Sequence, residues 1–157
     1  MRRGFVGLIV GLLVLSLMGC SMSDLVFGNS NVRRVKIAGD AMEPNFHDEQ
    51  IVDVEEVPVE DLQRGDVIVF TVKDEKQYLK RLIGLPGETV KIRAGKVYIN
   101  GKVLDEPYIK ESAHSDMPVR TVESDRYFVL GDNRNNSADS RAFGSIPGAS
   151  ILGRVKQ

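Results

Sequence analysis

Hydrophobic positions follow two different patterns along the chain. From Gly4 to Ser23 there is no charged residue, and the stretch from Phe5 to Met18 is apolar on every helical face. A helix packed on a soluble core would show a stripe instead. After residue 31 the pattern changes to short β-branched runs and apolar–polar alternation, bounded by glycine, proline and asparagine. Strands are predicted over Val32 to Ile37, Gln50 to Val54, Asp66 to Val72, Tyr78 to Leu85, Arg126 to Leu130 and Ile151 to Val155. Thr89 to Ile92 and Lys96 to Ile99 flank Ala94-Gly95, a hairpin signal, and Asn100-Gly101 turns the chain into Lys102 to Leu104. The one helical hint beyond residue 31 is a turn near Val59 to Leu62. Closely spaced short strands with Gly and Pro turns imply an all-β fold, an antiparallel barrel or sandwich. The polar, turn-rich section from about 88 to 126 is expected to form a small inserted β-hairpin lobe, within a domain running from 32 to 157.

The first 23 residues have the layout of an export signal. Arg2 and Arg3 precede the apolar run, and small residues follow it. The positive end stays on the cytoplasmic side, which places the folded part outside the cytoplasmic membrane. Two readings stand. The segment is long enough for a transmembrane anchor, which needs ~20 residues. Alternatively, Leu17-Met18-Gly19-Cys20 is a lipobox with Cys20 as the lipid attachment point, although Met18 is bulky for such a box. The lipobox is preferred, because the apolar core is short for a span and the only cysteine stands directly behind it. Both readings leave the domain attached to the bilayer through a linker at 24–31, where Gly28-Asn29-Ser30-Asn31 is turn-prone.

Composition narrows the function. Lys and Arg total 21 and Asp and Glu 22 among 157 residues, a net charge of −1, which gives no support for a nucleic-acid partner. One cysteine excludes an internal disulfide. His47 and His114 are isolated, so no pair has metal-ligand spacing, and both read as surface residues.

Three stretches do not read as ordinary strand or turn: Ile37 to Phe46, Tyr78 to Glu88, and Gly131 to Pro147. Ile37-Ala-Gly-Asp-Ala-Met-Glu-Pro-Asn-Phe46, Tyr78-Leu-Lys-Arg-Leu-Ile-Gly-Leu-Pro-Gly-Glu88 and Gly131-Asp-Asn-Arg-Asn-Asn-Ser-Ala-Asp-Ser-Arg-Ala-Phe-Gly-Ser-Ile-Pro147 resemble, in order and wording, the sequence boxes of type I signal peptidases. The resemblance covers about residues 32 to 155. That family consists of Ser-Lys dyad proteases that remove signal peptides from exported precursors. A serine hydroxyl is a poor nucleophile until a base takes its proton. A lysine can be that base only when neutral, and burial favours the neutral form.

The resemblance implies a role for each matching position. Lys80 matches the general base, with Leu79, Leu82 and Ile83 as its apolar setting. Ser137 matches the serine that orients that lysine. Asp139 and Arg141 match a charged pair that shapes the site, and Asp132, Asn133 and Arg134 belong to the turn carrying them. Arg81 follows the base within its box. Met42 and Pro44 match residues that follow the nucleophile. Gly39 stands where some members place a hydroxyl-bearing oxyanion donor. The nucleophile position itself is Ala41.

Alanine has no hydroxyl and cannot form an acyl-enzyme. Ser137 and Ser140 do not occupy the position of residue 41, whose backbone N–H survives the substitution. Three origins stay open: an engineered substitution, a natural loss, or an error in the sequence. The expected function is therefore signal-peptide removal on a scaffold with little or no activity as written. The alternative is an inactive peptide-binding protein or chaperone for exported proteins. The implied partners are signal-peptide-bearing precursors and the lipid bilayer, with small residues one and three positions before the scissile bond. No metal or organic cofactor is implied, and oligomeric state is not readable.

Overall fold

The computed structural model describes residues 32–72 and 76–156. The expected anchor or signal over 1–23, the lipobox with Cys20, and the linker at 24–31 lie outside them. The strands among the described residues are β1 (Val32–Lys36), β2 (Ile51–Glu55), β3 (Val67–Thr71), β4 (Gln77–Gly84), β5 (Thr89–Arg93), β6 (Lys96–Ile99), β7 (Lys102–Val103), β8 (Met117–Thr121), β9 (Arg126–Leu130), β10 (Ile146–Pro147) and β11 (Ile151–Val155). A single-turn helix, α1, spans Ser140–Phe143. The strands form two antiparallel sheets. The larger has the order β1-β2-β11-β3-β4-β9-β10, and the smaller the order β7-β6-β5-β8. The expected all-β antiparallel fold with an inserted lobe is the observed one.

Side-chain alternation explains the two sheets. Val67, Ile68, Val69 and Phe70 of β3 are all buried, as expected of a central strand covered on both faces. In the smaller sheet, Val90, Ile92, Val97 and Ile99 point into a core while Lys91, Arg93 and Lys96 point out. The β5–β6 turn is Ala94-Gly95 with φ of 50° and 76°, and the β6–β7 turn is Asn100-Gly101 with φ of 50° and 80°. Two consecutive positive φ values match the twist of paired strands. β8 carries four exposed residues in five and so lacks an alternation to read. That is why it was not expected, and why the lobe is a four-stranded sheet. The turn near Val59 is a 3₁₀ turn at Val59–Asp61.

Strand β4 is where the cores meet. Leu79 packs against the cluster that holds Met42, Val69 and Val155; Leu82 belongs to the cluster with Ile68, Phe70 and Val129; Ile83 to the one with Val90, Ile92 and Phe128. The strand thus passes from the larger sheet toward the smaller one, and Gly84 at its end permits the crossing. A Cβ there would lie 2.6 Å from Val90 Cγ2 and 2.9 Å from Phe128 Cβ. Gly84→Ala is therefore expected to destabilise the fold by about 1–3 kcal/mol through overpacking. A lowered denaturant midpoint with unchanged slope would register it.

Candidate active site

The turn after β1, the body of β4 and the 131–141 loop converge on one groove. It has a volume of about 300 Å³ and is lined by Val35 to Gly39, Ala41, Met42, Val69, Gln77 to Lys80 and Ala138. Met42 is buried, packing the turn onto the larger sheet, and Phe46 N–H donates to Met42 O at 3.0 Å to close it. Gly39 N–H donates to Asp48 Oδ1 at 2.7 Å. Pro44 is exposed within the same turn and does not line the groove.

Lys80 lies on β4 opposite Ile68 and is 4% exposed. Its Nζ donates to Leu79 O at 2.9 Å and stands 5.6 Å from the Tyr78 ring centroid. No carboxylate forms an ion pair with it among the described residues. Burial pushes the ammonium down to about 8, against the opposing pull of the Asp139 and Asp132 charges. A buried lysine with that affinity for a proton is partly neutral near physiological pH.

The 131–141 loop meets the Ala41 turn directly. Asn133 N–H donates to Ala41 O at 3.1 Å and Asn133 Nδ2 to Asp40 O at 3.0 Å. Gly131 makes this approach possible: a Cβ there would lie 2.2 Å from Ser137 Oγ and 2.6 Å from Ala41 O. Ser137 Oγ is buried and has no hydrogen-bond partner among the described residues. An unpaired buried hydroxyl is costly. Ser140 is committed elsewhere, its Oγ accepting from Val129 N–H at 2.9 Å.

Charged pairs hold this loop from below. Arg81 clamps Asp132 through Nε and Nη2 at 2.8 and 2.6 Å. Arg141 clamps Asp139 at 2.8 and 2.7 Å, and Asp139 Oδ2 also accepts from Gly131 N–H at 3.1 Å. Arg134 is not a groove residue. Its guanidinium is fully buried behind the loop, bound to Glu106 at 3.2 and 2.5 Å while Nε donates to Gly131 O at 3.0 Å.

Reading the sequence missed Glu106, Asn45 and Tyr108. Asn45 Nδ2 donates to Asp132 Oδ2 at 2.8 Å and to Tyr108 O at 2.6 Å, and the Tyr108 ring lies 4.2 Å from the Arg81 guanidinium. The nearest available signal for Asn45 was its place right behind Pro44. Glu106 and Tyr108 gave none, because their partners are fixed only by the docking of the smaller sheet.

The family model described as signal peptidase, peptidase S26, matches residues 7–157. A probable signal peptidase I-2 of Synechocystis is 41% identical over 129 residues, covering 76% of this chain and 59% of the relative. Signal peptidase I of Bacillus amyloliquefaciens is 42% identical over 118 residues, covering 67% of this chain and 63% of the relative. The chain thus spans about three fifths of the length of these relatives. The crystal structure of a signal peptidase I from Enterococcus faecalis V583 superposes with a TM-score of 0.57 at 39% identity, covering 61% of this chain and 97% of that one.

Proposed function

The chain belongs to the signal peptidase family, peptidase S26, and from that premise we propose that it carries the scaffold and peptide groove for removing signal peptides from exported precursors, silenced at residue 41. The observation that carries this reading is a buried Lys80, with no carboxylate paired to it among the described residues, on the groove that Ala41 lines, beside the loop that holds the unpaired Ser137 hydroxyl.

In this reading Lys80 is the general base and Ser137 holds its Nζ in line. A serine at 41 would give its proton to neutral Lys80 while its oxygen bonds to the scissile carbonyl carbon. The charge that then builds on the carbonyl oxygen would meet the N–H of residue 41. The leaving amine would take the proton back from Lys80, and water would release the acyl group. Asp132, Asn133, Asp139, Arg81 and Arg141 act as positioning residues. The groove's apolar walls, Val35, Ile37, Val69 and Leu79, suit small apolar side chains of the Ala-x-Ala kind. The domain works outside the cytoplasmic membrane, attached through residues 1–23.

As written, with Ala41, the chain forms no acyl-enzyme. The test is precursor cleavage by the chain beside Ala41→Ser: cleavage only by the serine form supports the silenced scaffold, and a folded but inert serine form overturns it. Ala41 also favours a second reading, a peptide-binding protein without turnover. β1 is an edge strand beside the groove, so an extended peptide can add to it. That reading expects saturable binding of a signal-peptide sequence to the Ala41 form. A titration without saturation removes it.

A further inference from the structure

The outward face of the smaller sheet carries chemistry that the groove does not use. From Thr89 to Val103 the chain has four bases, Lys91, Arg93, Lys96 and Lys102, and no acid, in a protein whose net charge is −1. Among the described residues none of these four forms an ion pair. Arg64, Arg81, Lys110, Arg126, Arg134, Arg141 and Arg154 all do. Two carboxylates beside this stretch are turned to other work. Glu88 is clamped by Arg64, and Asp116 accepts from Ala94 N–H at the hairpin tip.

Strand register puts apolar groups among these bases. Tyr98 stands opposite both Val103 and Lys91. Val119 of β8 flanks Lys91 from the other side. Val103 and Val119 are 55% and 62% exposed. Between them lies a shallow depression of about 420 Å³ lined by Thr89, Lys91, Arg93, Tyr98, Gly101 and Val119. Exposed valines set among unpaired bases, with a tyrosine at the centre, form a surface that gains from an apolar layer lying under a negative one.

We propose that the outward face of the β5–β8 sheet docks on an anionic phospholipid surface, with Val103, Val119 and Tyr98 entering the headgroup layer and Lys91, Arg93 and Lys96 on the phosphates. An acidic protein segment would answer the charge but leave the two valines unused, so lipid is the better match. From the proposed function this takes only that the chain is held at a bilayer. Its readout is lipid contact, so failure of the peptidase reading would leave it standing.

The test uses the full chain with Cys20 unchanged and one environment-sensitive fluorescent amino acid, in place of Val119 or, as a control on the larger sheet, in place of the exposed Ile51. Each is reconstituted in phosphatidylcholine vesicles with or without phosphatidylglycerol, together with a nitroxide-bearing quencher lipid. Quenching at 119 that depends on phosphatidylglycerol, exceeds that at 51, and is reversed by 1 M salt is the expected result. Neutralising Lys91, Arg93 and Lys96 to Gln should lower the docked-to-free ratio by roughly a hundredfold, about fivefold per base. The salt titration reads the same equilibrium without neutralising any base. Equal quenching at both positions, or at 119 with and without the anionic lipid, would overturn the proposal. So would binding of a polyglutamate peptide to this face with no response to phosphatidylglycerol, which would assign it to an acidic protein.

Discussion

With Ala41 changed to Ser, precursor cleavage should appear at on the order of 10⁴- to 10⁶-fold above the chain as written, the range set by losing a nucleophile elsewhere. The rate should climb with pH and level off above about 8, where Lys80 becomes neutral. Only neutral Lys80 can take the hydroxyl proton, so the sign is fixed. Adding Lys80→Ala should remove at least about 10²-fold to 10⁴-fold of that rate. A pH–rate profile of kcat/KM checks the first statement and a comparison of the two variants the second. A flat profile in the serine form would show that Lys80 is not the base. The same burial has a cost in stability. Below about pH 8 both folded and unfolded chains carry the Lys80 proton, and folding must desolvate the charge. Between about 8 and 10.5 the folded chain has released that proton while the unfolded chain still holds it, so stability rises with pH. Lys80→Met should thus stabilise the fold most below pH 8, by on the order of 3 kcal/mol. The gain should fade toward pH 10.5, as read by denaturant melts across that range.

Glu106→Ala should destabilise the protein by about 3–5 kcal/mol, since it leaves a buried guanidinium without its partner. Arg134 is fully buried and Glu106 is 5% exposed, so water cannot take over the vacated place. The damage should reach the groove, because Arg134 Nε also fixes Gly131 O, and Gly131 is where Ser137 and Ala41 come together. Replacing both partners, Glu106→Leu with Arg134→Met, should recover most of the loss. If the double variant is as unstable as the single one, the shape of the site rather than the stranded charge sets the cost. Urea midpoints of the three chains decide between these outcomes.

Most of the strands were legible because their signals are local. Val67 to Phe70 is an uninterrupted apolar run, Val90 to Ile99 alternates around Ala94-Gly95, and both became strands in the expected places. β8 and β10 were not legible. Each gains its identity from a neighbour, β8 from β5 and β10 from β9, and neither has a buried stripe of its own. The groove shows the same division. Lys80, Ala41 and Ser137 stood out by their surrounding wording, and the structure brings their three segments together. The supports beneath them, Glu106, Asn45 and Tyr108, come from segments with no pattern of their own, and only the docking of the smaller sheet aligns them. Pro44 and Arg134 were named with the site yet stand outside the groove, because a motif records neighbours in sequence and the turn sends alternate residues away.

The place of β11 has a consequence for biogenesis. It lies between β2 and β3, pairing Val155 with Val54 on one side and Arg154 with Ile68 on the other. Until Val155 has been synthesised, the β1–β2 hairpin that carries the Ala41 turn has no backbone bond to the β3–β4 hairpin that carries Lys80. Before the last strand is made, the two halves of the groove meet only through loop contacts such as Asn133 N–H to Ala41 O, with no strand ladder between them. An exported chain therefore carries an open larger sheet until its last strand is made. A ribosome-stalled series ending on either side of residues 151–155 should show protease resistance appearing in one step as the last strand takes its place.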